Sequence, residues 1–285
     1  MEKTKSMKRI LYDKILRFLL YFCAFITSAF LVVIVGYIFY RGLGHVTWQL
    51  LTTSPSFLSD SIGILPNIMN TLYLIFATLL LVLPLGVGAA IYLTEYAKNR
   101  RLVGLIEFAT ETLTGIPSIL YGLVGMLFFA QFLSLGTSLL AGCLTLVIMI
   151  LPTIVRTTQE SIKTVPQTYR EGSLGLGSGK WHMVRTVVIP SAIDGIVTGC
   201  ILSVGRIVGE SAALLFTAGS ASVLSDFVKA MQSSGATLSV ALYMYTMERG
   251  KVDIGFAIAA ILMILTFFIN LSAKLLGKKL KQKHG

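Results

Sequence analysis

A polar, basic stretch at 156–190 divides the apolar sequence of this chain and limits the fold more than any other feature. Runs close to or beyond the roughly 20 apolar residues that cross a bilayer recur on both sides of it. The 285 residues are 55% hydrophobic and only 13% charged, with a mean hydropathy of +0.80. A soluble domain of this length needs far more polar surface to cover its core. The runs are continuous rather than alternating, which excludes a membrane barrel. The expected class is an all-α polytopic membrane protein forming one unit over 1–285. Its six transmembrane helices are expected at about 16–40, 68–93, 106–133, 138–155, 192–216 and 254–276.

The net charge of +11 does not point to nucleic acid. Basic residues of membrane proteins collect in cytoplasmic segments. With the N-terminus inside, 19 of the 24 Lys and Arg fall in inside segments, four fall outside, and Arg206 lies within a span. Both termini are therefore expected in the cytoplasm. The first apolar run continues to about Tyr40, too long for a signal-peptide core, and reads as an uncleaved span. Cys23, Cys143 and Cys200 are scattered through apolar runs, and His45, His182 and His284 lie outside them. No metal, haem or other cofactor is implied.

Two long outside loops are expected, at about 41–67 and 217–253. The second carries SDFVKAMQ and TLSVALYMY, which read as short surface helices that either meet an outside partner or cap the bundle. Pro84, Pro117 and Pro152 fall inside spans, where each removes a backbone hydrogen bond and invites a kink. Glu107 and Glu111, one turn apart at the start of the third span, are expected to pair with nearby basic residues.

The stretch 156–190 reads as short helices around a glycine-rich turn. Glu171, Gly172 and Ser173 are followed by Gly177 and then by Val187-x-Ile189-Pro190. This spacing resembles the EAA loop of ABC importer permeases, E-A-A, three residues, G, nine residues, I-x-L-P. Gly172 and Ser173 replace the two alanines. The resemblance implies a coupling helix that docks on an ATPase subunit, with Gly177 at its turn. GSGK at 177–180 imitates the end of a phosphate-binding P-loop, but Leu174 and Trp181 occupy positions that need Gly and Ser or Thr. ATP is therefore expected to be handled by a partner, and this chain is expected to be non-catalytic.

On a helix through the fifth span, Gly195, Gly199, Ser203, Arg206, Gly209 and Glu210 share one arc of about 120°. Small residues let membrane helices approach closely. Arg206 and Glu210 are four apart and within reach of one another on a helix. They form either a structural ion pair or an anion site, in which Arg offers a planar fork of donors to an oxyanion.

VGRIVGESAAL at 204–214, TGIPSILYGLVG at 114–125 and LSVALY at 238–243 are similar to segments of phosphate ABC importer permeases of the PstA type. This resemblance implies a type I ABC importer permease fold in a bacterial plasma membrane. The implied partners are a PstC-type second permease, two copies of an ATPase and an extracytoplasmic phosphate-binding protein. Arg206 and Glu210 are expected on the substrate path, and Glu171, Gly172, Ser173, Gly177 and Pro190 in ATPase coupling. Alternatives are a permease for sulfate, molybdate or phosphonate, an ion-coupled carrier acting alone, and a membrane scaffold. The docking segment and the lack of an evident inverted repeat disfavour the carrier, and a buried Arg206 disfavours the scaffold.

Overall fold

The structure, a computed structural model, describes residues 7–55 and 62–284, with side-chain surroundings for 11–55 and 62–279. The described residues are mostly helical, with no strand among them. The elements are α1 (Met7–Gly42), α2 (Trp48–Thr52), α3 (Leu65–Ile91), α4 (Arg100–Thr114), α5 (Ser118–Gly125), α6 (Leu139–Lys163) and α7 (Gln167–Gly175). They continue as α8 (Lys180–Met183), α9 (Ile189–Gly209), α10 (Ala212–Thr217), α11 (Phe227–Gln232), α12 (Leu238–Tyr243) and α13 (Val252–His284). Wider π turns extend α3 over Tyr92–Tyr96, α5 over Met126–Phe132 and α12 over Met244–Glu248, and join α8 to α9 over Val184–Val188.

Five helical stretches are long and apolar enough to span a membrane, and the bent pair α4–α5 makes a sixth. That pair departs from the expected continuous span at 106–133. The chain turns by 99° between Arg100–Thr114 and Ser118–Phe132. Pro117 is the physical reason, because it disfavours helical backbone at Ile116 and cannot donate to the preceding turn.

α6 is the hub of the bundle. It is the most buried of the spans, and it packs against α3, α4, α5, α9 and α10. Close approach comes from small residues. Gly86 of α3 lies on Ile154, Gly125 of α5 on Thr145, and Gly195 and Gly199 of α9 on Ser161 and Thr157. Of the small face expected on the fifth span, Gly195 and Gly199 thus seat α9 on α6, whereas Gly209 is exposed, and Ser161 Oγ adds a 2.8 Å hydrogen bond to Ala192 O. Glu107 and Glu111 do pair, with Lys163 at 3.0 Å and Arg156 at 3.2 Å, lacing α4 to α6.

The loop at 217–253, expected outside, folds down as a cap. Asn67 and Asn70 of α3 donate to Ala236 O at 3.0 and 3.2 Å, and Leu238 N donates to Thr71 Oγ1 at 2.9 Å. The two expected short helices are α11 and α12, but α12 is buried rather than on the surface. At the opposite end of α3, α7 and α8 form a hairpin beside the ends of α3 and α6. α1 stands apart. Its most apolar stretch has no buried residue, and its contacts with α13 include those of Tyr37, Arg41 and Gly42.

Candidate functional site

The expected site residues fall into two groups at different heights. Glu171, Gly172, Ser173 and Gly177 lie in the α7–α8 hairpin, and Arg206 and Glu210 lie at the far end of α9. Pro190 begins α9, so about 25 Å of helix separates it from Arg206.

The hairpin is built by its own backbone. Gly177 has φ +84, a left-handed conformation that favours glycine. Its N–H donates to Leu174 O at 2.9 Å, and Ser178 N donates to Ser173 O at 3.3 Å. These two bonds close α7 in a Schellman turn. Ser173 Oγ and Ser178 Oγ lie 2.7 Å apart, so the serine that departs from the EAA pattern helps to lock the turn. Gly172 and Glu171 are exposed. Tyr169, Leu174, Leu176 and Trp181 are exposed around them and make an apolar rim, Leu176 at 92%.

The stretch 156–190 is therefore not one loop. Residues 156–163 complete α6, and Val187, Ile189 and Pro190 belong to the helical run Lys180–Gly209. Pro190 lacks an N–H to bond the preceding turn. The π turn at Val184–Val188 absorbs that break, as wider turns inside helices do.

Sequence reasoning passed over Arg170 and Glu95. Arg170 Nε donates to Glu95 Oε1 at 3.0 Å, and Nη2 lies at ion-pair distance, 3.0 Å, from the same oxygen. The same guanidinium donates to Val165 O at 2.6 Å and Ile162 O at 2.9 Å, at the end of α6. The two side chains are 12% and 7% exposed. Lys180 of α8 lies 4.9 Å from the Tyr96 ring centroid. The available signal was a lone acid, Glu95, at the end of an apolar span, matched to a cation inside the motif.

In the membrane group, α9 ends at Gly209, one residue before Glu210. Glu210 has extended backbone, with φ −78 and ψ 119, and its carboxylate turns back to accept Ala213 N at 3.0 Å. It thereby caps α10. Ser239 Oγ of α12 donates to Glu210 O at 2.6 Å. Glu210 is buried, while Arg206 is half-buried. The structure does not join them as the wheel suggested, because the helix has broken between them. Among the described residues Arg206 has no hydrogen bond or ion pair.

Tyr121 belongs to the second break. Its hydroxyl donates to Leu113 O at 2.7 Å, bridging α4 to α5 across Gly115–Pro117. Gly122 of α5 packs directly on the backbone of Ala213 in α10. Two broken spans thus lie side by side, with an uncompensated guanidinium next to them. Irregular backbone at membrane depth is tolerated only where protein buries it or water reaches it.

Residues 82–282 match the family model described as binding-protein-dependent transport system inner membrane component. The chain belongs to this family of ABC transporter permeases. The permease is 36% identical over 291 residues to the probable ABC transporter permease protein YqgI of Bacillus subtilis (strain 168), covering 97% of this chain and 99% of that one. It is 30% identical over 237 residues to the phosphate transport system permease protein PstA of Haemophilus influenzae, covering 82% and 83% of the two. A bacterial ABC transporter involved in the import of the acidic polysaccharide alginate shares its fold, with a TM-score of 0.64 at 14% identity over 95% of this chain and 99% of that one. The fold is that of a type I ABC importer permease. Permeases of this family are multi-pass membrane subunits, generally non-catalytic, that work with a second permease, an ATPase and an external binding protein.

Proposed function

We propose that this chain is a permease subunit of an ATP-driven importer that brings inorganic phosphate across a bacterial plasma membrane. The observation that carries the reading is Arg206. A half-buried guanidinium in a membrane span, without a hydrogen bond or ion pair among the described residues, stands beside two helix breaks. Charge at membrane depth is costly and marks substrate pathways more often than packing. A guanidinium presents a fork of donors that suits a tetrahedral oxyanion. Similarity to a permease named for phosphate transport supports the choice of oxyanion.

Arg206 is the group that meets the anion in transit, and Glu210 holds the adjoining break in shape through α10. The α7–α8 hairpin faces the cytoplasm, where Glu171, Gly172 and the apolar rim form the docking surface for an ATPase dimer. Gly177 and Ser173 shape that surface, and Pro190 starts the helix that carries its motion inward. A PstC-type permease supplies the other half of the path, and a phosphate-binding protein delivers the substrate from outside.

The test is uptake of radiolabelled phosphate at limiting phosphate in cells lacking this gene. The cells are complemented with the wild-type chain or Arg206→Ala, with sulfate uptake run alongside. The wild type is expected to restore phosphate uptake. Arg206→Ala is expected to lower it at least a hundredfold while the assembled complex is still recovered. Restoration of sulfate uptake instead would reassign the substrate, and full uptake by Arg206→Ala would remove Arg206 from the path.

A further inference from the structure

We propose that Arg170 is the positioning residue that makes α7 move as one body with α3 and α6, so that motion imposed on the hairpin reaches the membrane spans. The proposal rests on the coupling reading above and goes beyond the EAA positions, none of which makes this link.

The geometry is specific. α7 has no buried residue of its own, so its apolar contacts do not anchor it. Arg170 does so with one side chain that engages two other elements. Glu95, in the π turn that ends α3, accepts Nε and pairs with the guanidinium, and Val165 O and Ile162 O, at the end of α6, accept Nη1 and Nη2. Ile162 O also accepts Val165 N at 3.2 Å, and both carbonyls sit at the negative end of the α6 dipole, where a cation is favoured. Both side chains are largely withdrawn from water. Any slide of α7 against α3 or α6 would leave a desolvated charge unpaired, which is strongly disfavoured. Arg is suited to this role because its planar fork reaches several acceptors at once, whereas Lys presents a single point charge. The Lys180–Tyr96 contact is a weaker second strap from the same hairpin to the same π turn. Force on α7 is thus delivered to α3 and α6, and Gly86, Gly195 and Gly199 hold α3 and α9 tightly to α6.

The experiment uses the full chain in lipid nanodiscs, alone and with the ATPase that co-purifies with it. The variants are Glu95→Gln, Glu95→Asp and Arg170→Lys. Spin labels are placed at Leu174→Cys in α7 and Leu85→Cys in α3, with Cys23, Cys143 and Cys200 changed to Ala. The intact link should give one narrow distance distribution. Glu95→Gln should broaden it at least twofold, and Glu95→Asp, which keeps the charge, should broaden it less. With the ATPase bound, Glu95→Gln and Arg170→Lys should retain ATP hydrolysis but move at least tenfold less radiolabelled phosphate per ATP.

An unchanged distance distribution and an unchanged ratio would overturn the proposal. So would loss of the ATPase from every variant, because Arg170 would then only build the docking surface. If the wild-type chain itself retains no ATPase, the coupling reading fails. The spin-label distances need neither ATPase nor phosphate and still decide whether Arg170 fixes α7 to α3.

Discussion

At the scale of single residues, the two glycines of the hairpin do different work. Gly177 has open space around its Cα, so its requirement is conformational: φ +84 costs an L-residue about 1–2 kcal/mol. Gly172 also has open space but sits within α7 at ordinary helical backbone, where Ala is favoured by about 1 kcal/mol. Gly177→Ala is therefore expected to loosen the turn and Gly172→Ala to firm α7. Amide hydrogen exchange over 172–178 should accelerate roughly tenfold in the first variant and slow in the second. Equal exchange in both would mean that the Ser173–Ser178 bonds alone hold the turn. The sequence showed Gly177 through the EAA spacing. Ser173 looked like a mild departure because its partner, Ser178, lies in the nine-residue spacer that the motif leaves unspecified.

At the scale of elements, the breaks matter more than the helices. Hydropathy located the spans but not their interruptions, because a window average does not register a turn that stays apolar on both sides. Ile116–Pro117 was the visible sign of the 99° bend, and reading Pro117 as a kink understated it. The end of α9 had no such sign. Glu210 leaves the helix because its carboxylate caps the next one, a tertiary choice that a helical wheel assumes away. The polar residues 156–163 hid the last two turns of α6, in which Thr158, Gln159 and Ile162 are buried and Arg156 and Lys163 meet Glu111 and Glu107 of α4. Since α5 and α10 touch backbone to backbone at Gly122 and Ala213, Gly122→Ala would force them apart. Overpacking of this kind costs about 1–3 kcal/mol. The melting temperature of the purified chain should fall by about 2–10 °C, whereas an unchanged melt would show that the breaks are loosely seated.

At the scale of the molecule, the outward surfaces differ in kind. α1 turns Phe, Leu and Ile outward, as a lipid-facing helix does. α9 turns Thr198, Gly205 and Gly209 outward beside Leu202, a face ill suited to hydrocarbon. Thr198→Cys and Gly205→Cys are expected to react with a water-soluble thiol reagent at least tenfold faster than Phe25→Cys in intact membranes, measured by mass shift. Equal rates would place α9 against lipid. The remote contact of α1 with α13 has a further consequence, in time rather than space. Tyr37, Arg41 and Gly42 find Phe256 and Asp253 only after some two hundred further residues have been made. At about 5–20 residues per second, that delay is roughly 10–40 s. Of the described helices, the earliest synthesised waits for the latest, and until then only lipid or a neighbouring chain can cover it.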